Sequence, residues 1–203
     1  ARKLDPTSFF TYQGSVQVYI DARANDVTLN DYDDAQALAD ANRALELQPE
    51  DALTLYLRAR IHSLRGEHDE AISDFSQSIE IYDQYDRSYL DRGDEYMLLG
   101  RFDRAAADYS RVLELNPDYV EAYYGRIEAY MQAVDNDKPL KDYDLDNALE
   151  DANRALELAG SNAVSFLLRG KVYGRQGDYE TALADLNRAV DIENDMAWSY
   201  AER

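Results

Sequence analysis

Eight residues, DANRALEL, occur twice in this chain, at 40–47 and 151–158, and three relaxed copies accompany them: DFSQSIEI at 74–81, DYSRVLEL at 108–115 and DLNRAVDI at 185–192. Their first residues, Asp40, Asp74, Asp108, Asp151 and Asp185, stand 34, 34, 43 and 34 positions apart. A period of this length constrains the fold more than composition does. It means one supersecondary unit built five times, each too small to bury its own apolar face and each obliged to stack on a neighbour.

Within a unit the periodicity is helical. In AYYGRIEAYMQAV and NALEDANRALELA the apolar residues recur at three- and four-residue spacing, with no strand-like alternation. Each unit is therefore two helices, and Gly66, Gly100 and Gly177 stand between the halves where a helix stops and the chain reverses. Mostly small residues recur seven apart in the second helix: Ala37 with Ala44, Ala71 with Ser78, Ala105 with Val112, Ala148 with Ala155, and Ala182 with Ala189. Two turns of helix separate the members of each pair, so small side chains there let the helices approach closely.

The order of residues in one unit, Tyr89, Gly93, Tyr96, Gly100, Ala105, Tyr109, Val112 and Pro117, resembles the pattern of the tetratricopeptide repeat family. The likeness covers roughly residues 9–203. It implies an all-α fold, a right-handed superhelical α-solenoid of helix-turn-helix repeats, forming a single domain over 1–203. The repeats run 9–51, 52–85, 86–119, 120–162 and 163–196, with the start of a sixth at 197–203. Repeats 1 and 4 exceed the family length by nine residues each, at ARANDVTLNDYDD and VDNDKPLKDYDLD, between their two helices. They share nearly the same second helix as well, which points to duplication of an ancestral block of three repeats.

Net charge of −20 sets the sequence against nucleic acid, whose recognition needs a surface that neutralises phosphates with Lys and Arg. No apolar stretch approaches the roughly 20 residues of a membrane-spanning helix, so no direct membrane insertion is expected. The opening residues ARKLDPTSFF lack the apolar region of a secretory signal, and the chain opens on Ala1 and not Met, the expectation for a processed chain or an excised fragment. The compartment stays open. With no cysteine, thiolate metal sites, disulfides and cysteine nucleophiles are excluded, and no glycine-rich phosphate loop is present.

The seventeen tyrosines invite a reading as a stacking surface, but repeat position argues otherwise. Tyr12, Tyr89, Tyr123 and Tyr200 share one position with Leu55 and Phe166, and Tyr19, Tyr96, Tyr130 and Tyr173 share another with His62, so they are expected between helices. His68 stands where Phe102 and Tyr179 stand, and neither histidine has a catalytic partner in the sequence. The insertion DNDKPLKDYDLDN has the composition of a calcium loop and fails its spacing. Counting from Asp142, the places that need Gly and Glu hold Asn147 and Asn153, and counting from Asp135 they hold Leu140 and Asp146. No enzyme activity and no cofactor are expected.

An arginine recurs at the seventh position of four repeats, Arg58, Arg92, Arg126 and Arg169, and at Arg203 in the partial sixth, while repeat 1 has Ser15 there. Pairing each with the Asp of its own repeat gives separations of 16, 16, 25 and 16; pairing it with the Asp of the preceding repeat gives 18 every time. The constant spacing predicts an inter-repeat ladder: Asp40 with Arg58, Asp74 with Arg92, Asp108 with Arg126, Asp151 with Arg169, and Asp185 with Arg203, setting register more than stability.

The family resemblance implies a protein-interaction scaffold whose first helices line a concave groove for a peptide or helix of a partner protein. Carried over by position, the groove presents Leu53, Tyr56, Leu57, Arg60, Arg87, Leu90 and Asp94, then Tyr124, Glu128, Leu167, Leu168, Lys171 and Arg175. The Lys, Arg and Asn clamp that the chaperone-tail subclass uses for a terminal carboxylate has no counterpart here. Two alternatives stand beside the scaffold: a homo-oligomer stacking through an uncapped C-terminal end, and the targeting or regulatory repeats of a larger enzyme or complex.

Overall fold

The computed structural model describes residues 8–160 and 162–201, of which 195–201 are described as helical backbone only. Among them are ten helices and no strand: α1 (Phe9–Ala24), α2 (Asp34–Leu47), α3 (Ala52–Leu64), α4 (His68–Ile81), α5 (Asp86–Leu98), α6 (Phe102–Leu115), α7 (Val120–Asp135), α8 (Leu145–Ala159), α9 (Ala163–Gln176) and α10 (Tyr179–Ala201). The fold is all-α, with two helices to each of the five full repeats. Side chains of Trp198, Tyr200 and Arg203 lie outside the described residues.

Local chemistry accounts for the helix ends. Ser8, Asp33, Asp51, Asp144 and Asn162 each cap the start of a helix by accepting a backbone N–H, and Asp144 forms a reciprocal capping box with Asn147. At the reversals between α3 and α4 and between α9 and α10, Gly66 and Gly177 take φ of 73° and 88°, a left-handed conformation that costs other residues a Cβ clash. Nothing of that kind separates Asp191 from Ala197. The stretch has neither Gly nor Pro, and α10 continues through it, so the turn expected before a sixth repeat is absent and residues 197–201 prolong the second helix of repeat 5.

The helices gather into two compact units, Ala1–Leu99 holding α1 to α5 and Gly100–Arg203 holding α6 to α10. In the first, α1 packs on α2, α2 on α3, α3 on α4 and α4 on α5, and the first helices touch one another, α1 with α3 and α3 with α5. Its core joins Val16, Tyr19 and Ile20 to Ala37, Ala41, Tyr56, Leu57, Ile61, Ala71 and Phe75. The second unit repeats the scheme from α6 to α10, with α7 touching α9 and a core around Ile127, Ala148, Ala152, Leu168 and Val172.

The small-residue seam expected in the second helix is buried in every repeat, from Ala37 and Ala44 to Ala182 and Ala189. Ser78, its one hydroxyl, donates to the Ala52 carbonyl at 2.8 Å and so enters the core without an orphaned polar group. The positional tyrosines follow expectation: Tyr19, Tyr96 and Tyr123 are buried, and Tyr12, Tyr89, Tyr130 and Tyr173 are half-buried.

Helix approach is closest where Tyr109, buried on α6, lies over Gly125 of α7. A Cβ added at Gly125 would stand 2.6 Å from the ring. Gly125→Ala should therefore cost about 1–3 kcal/mol through overpacking, read as a fall in the urea midpoint. Gly14→Ala, in a helical position with open space around it, should instead gain about 0.5–1 kcal/mol from helix propensity.

Candidate functional site

Arg58, Arg126 and Arg169 emerge from first helices beside the second helices of their own repeats, and there they find their carboxylates. Arg58 donates from Nε and Nη2 to the two oxygens of Asp74 at 2.6 and 2.7 Å. Arg126 does the same to Asp151 at 2.7 and 2.6 Å, and Arg169 to Asp185 at 2.7 and 3.0 Å. These are two-pronged forks to buried carboxylates. The expected ladder is thus corrected. Arg58, Arg126 and Arg169 hold the Asp of their own repeat and not Asp40, Asp108 and Asp151, while Asp74, expected to receive Arg92, accepts both prongs of Arg58. Arg203 lies outside the described residues, and Asp185 is taken by Arg169.

Antiparallel packing explains the register. Within a hairpin the seventh residue of the first helix lies across from the Asp, and an insertion at the far turn leaves that pairing intact, so separations of 16 and 25 are geometrically equivalent. The link to the preceding repeat exists, but it uses the third guanidinium nitrogen and a neutral acceptor. Nη1 of Arg58 reaches Asn42 at 2.8 Å, of Arg92 reaches Ser76 at 2.9 Å, of Arg126 reaches Ser110 at 3.1 Å and of Arg169 reaches Asn153 at 3.1 Å. All four acceptors stand 16 residues before their arginine. An Asn or Ser stands two residues after each repeat's Asp, a sequence signal of this link that opposite charge alone does not carry.

Of the thirteen positions expected on the groove, three are core. Tyr56 and Leu57 are buried, the Tyr56 ring lying 5.8 Å from that of Phe75 and 5.0 Å from that of Tyr85. Leu168 is buried as well. Leu57 and Leu168 both hold the sixth position of their repeats, on the flank that faces the preceding hairpin, so the family position carried over to the groove is buried there. Leu53, Arg87 and Asp94 are exposed, and Arg60 and Leu90 half-buried, on the first helices of the N-terminal unit. In the C-terminal unit Glu128, Leu167, Lys171 and Arg175 are exposed and Tyr124 is half-buried, its hydroxyl 2.6 Å from that of Ser165.

Four of these residues converge. Glu128 of α7 and Leu168, Lys171 and Arg175 of α9 line one cleft of about 460 Å³, together with Asp135, whose carboxylate pairs with Arg175. Buried Leu168 gives it an apolar floor under a rim of both charges. A second cavity, about 430 Å³, lies where the repeat 4 insertion meets α6 and α8, lined by Ser110, Arg126, Lys141, Tyr143 and Asp151 among others.

In the N-terminal unit Arg60 stands 3.8 Å from Asp91 and its guanidinium carbon 5.9 Å from the Tyr56 ring centroid. Burial raises the Asp91 carboxyl above the ordinary aspartate value, against the pull of Arg60 and a hydrogen bond from Tyr56. Both histidines have partners that their sequence context does not reveal. His62 Nδ1 lies 2.6 Å from Glu67, and His68 Nδ1 lies 2.7 Å from buried Glu95, which also accepts from Ser63 at 2.5 Å. The carboxylate sits between Ser63 and His68, so the imidazole does not face the hydroxyl as the base of a nucleophilic triad must. Among the described residues no His, Asp and Glu group is placed to hold a metal ion, and no helix is long and apolar enough to cross a membrane.

Family models described as tetratricopeptide repeat match residues 26–86 and 163–196, and a TPR repeat model matches residues 93–134. The chain is a tetratricopeptide repeat protein. Among solved structures, this tetratricopeptide repeat chain is similar to MamA, at 18% identity and a TM-score of 0.72, over 87% of this chain and 95% of that one. MamA 41-end from Desulfovibrio magneticus RS-1 follows it at 14% identity and a TM-score of 0.74, over 93% and 98% of the two chains. YrrB, described as a TPR protein with an unusual peptide-binding site, shares 22% identity and a TM-score of 0.71, over 98% and 93%. At these identities the likeness speaks for the tetratricopeptide fold. Among curated proteins none matches the chain by sequence.

Two outcomes check this geometry. Arg169→Met should cost about 3–5 kcal/mol because it leaves Asp185 charged and buried, and adding Asp185→Leu should recover most of the loss in urea denaturation. For Asp91, the raised folded-state pKa means that the fold favours its neutral form; stability is lost as pH rises from the unfolded value, about 3.9, through the folded one. Asp91→Asn should therefore raise the urea midpoint at pH 7, and the gain should shrink toward zero as pH falls to about 4.

Proposed function

We propose that the chain is a non-catalytic scaffold whose first helices receive an extended segment or a helix of a partner protein. The observation that carries this reading is the contact of first helices with one another, α1 with α3, α3 with α5 and α7 with α9. Helices that touch along one side make a strip within each unit, and the side chains left open on it mix apolar anchors with both charges. Leu53, Arg60, Arg87, Leu90 and Asp94 supply it in one unit. Tyr124, Glu128, Leu167, Lys171 and Arg175 supply it in the other.

Such a surface suits protein better than any polyanion. An apolar floor at Leu168 offers burial for one side chain, and Lys171 and Arg175 opposite Glu128 and Asp135 read the charges beside it. Net charge of −20 speeds encounter with basic partners. The description of YrrB as a protein with a peptide-binding site supports an occupant of peptide size.

Panning a displayed random-peptide library against the chain tests the proposal. Peptides that bind should weaken at least tenfold, about 1.4 kcal/mol, against the double variant Leu167→Ala, Lys171→Glu, whose positions are exposed. They should bind Lys141→Glu, on the insertion cavity, as they bind the parent chain. Equal binding to all three proteins would sink the assignment of the partner site to α7 and α9.

A further inference from the structure

Every repeat has two edges, and the interior repeats reveal what covers each. On the incoming edge, the third, sixth and tenth residues of the first helix face the preceding hairpin. Thr54, Leu57 and Ile61 are buried there in repeat 2, and Ser165, Leu168 and Val172 in repeat 5. The tenth position is buried in repeats 2 to 5 without exception, as Ile61, Glu95, Ala129 and Val172. In repeat 1 the same places hold Thr11, Gly14 and Val18, and Val18 is 59% exposed.

The outgoing edge behaves in the same way. At its fifth and twelfth residues the second helix carries Leu38 and Leu45, Ile72 and Ile79, Ala106 and Leu113, and Leu149 and Leu156 in repeats 1 to 4, all buried or half-buried. Repeat 5 has Leu183 and Val190 there, 60% and 54% exposed, and Tyr179 at 74% exposure where repeat 3 buries Phe102.

We propose that these two edges close on each other between copies of the chain, α10 of one molecule docking on α1 of the next. What fits an incoming edge, four times over, is a second helix with apolar residues at these positions, and α10 presents such a pair, Leu183 and Val190, exposed. The receiving side is prepared for it: residues 9–20 carry no charged side chain in a chain that is 31% charged. They border a cavity of about 450 Å³ lined by Gly14, Val18, Leu29 and Tyr32 among others. One feature of the interior joints is missing. Ser15 stands where Arg58, Arg126 and Arg169 reach back to the preceding repeat, so the joint between copies has apolar contact without the guanidinium tie and is reversible.

The contact is heterologous, head to tail, and open-ended, which makes it testable by complementation. Sedimentation or light scattering over a concentration series should give a mean mass that rises with concentration, and rises further with added salt as repulsion between chains of charge −20 is screened. Val18→Glu and Leu183→Glu, both at exposed positions and checked for unchanged helix content, should each be monomeric alone. Mixed in equal amounts they should form a dimer and nothing larger, because each supplies the one edge the other has lost. A parent chain that stays monomeric throughout would overturn the proposal and leave the edges to a partner of other sequence. So would either variant associating alone as the parent does, or a mixture that stays monomeric.

Discussion

Two helices in 34 residues cannot cover both sides of the apolar surface they create, and every other feature of this protein follows from that shortfall. The hairpin closes on itself along the small-residue seam, where Ala37, Ala71, Ala148 and Ala182 let its helices approach. What remains uncovered is an edge on each flank. A neighbouring repeat supplies the missing surface, so burial in one hairpin depends on the presence of the next. This dependence explains why side chains as different as Leu57, Gly125 and Leu168 occupy one repeat position: each is cut to whatever the preceding second helix presents. Gly125 is small because Tyr109 is large.

Apolar stacking fixes that neighbours touch but says little about how they are rotated. The arginine fork supplies direction. Two nitrogens are spent on a carboxylate within the hairpin and the third on an Asn or Ser of the hairpin before, so one planar group spans three helices. A lysine could not do this, having a point charge where the guanidinium has a fixed fork. Burial of Asp74, Asp151 and Asp185 makes the arrangement obligatory once it is adopted, since a buried carboxylate without its cation is strongly destabilising while the intact pair contributes little net stability. The arginine thus joins each hairpin to the one before it at small net energetic gain.

Much of this was legible in the sequence because helical repeats translate distance along the chain into distance in space. The period, the two helices of each full repeat, the small-residue seam and the interhelix tyrosines follow from spacing. Three things did not. Constant separation favoured Asp40 with Arg58, yet the constancy reflected only uniform joints between repeats; antiparallel geometry within the hairpin decided the partner. Family position puts Tyr56 and Leu57 on the groove, but a first helix has two flanks, incoming edge and open strip, and position alone does not say which flank a side chain takes without a reference contact. The partners of His62 and His68 depend on turn geometry, where Glu67 and Glu95 are brought close by chain reversals that carry no periodic signal.

The nine-residue insertions sharpen the distinction between what a repeat determines and what its neighbour determines. In both, an Asp takes a left-handed backbone, Asp26 with φ 54° and Asp137 with φ 55°, just after a helix end closed by an Asn side chain on a carbonyl four residues back. In both, a tyrosine comes down on another of the same repeat, Tyr32 on Tyr19 at 5.8 Å and Tyr143 on Tyr130 at 5.7 Å, and donates to the Asp at the hairpin mouth at 2.7 and 2.6 Å. Burial and those carboxylates push both phenols well above their ordinary pKa, so each remains a donor at any physiological pH. Only repeat 4 adds an arginine to that carboxylate, and only repeat 4 has α6 beside its insertion. The same loop built with and without those companions takes its conformation from its own repeat. The phenol is the constant element, able to satisfy Asp40 where Ser15 replaces the fork, and the arginine is what a repeat gains when another stands in front of it.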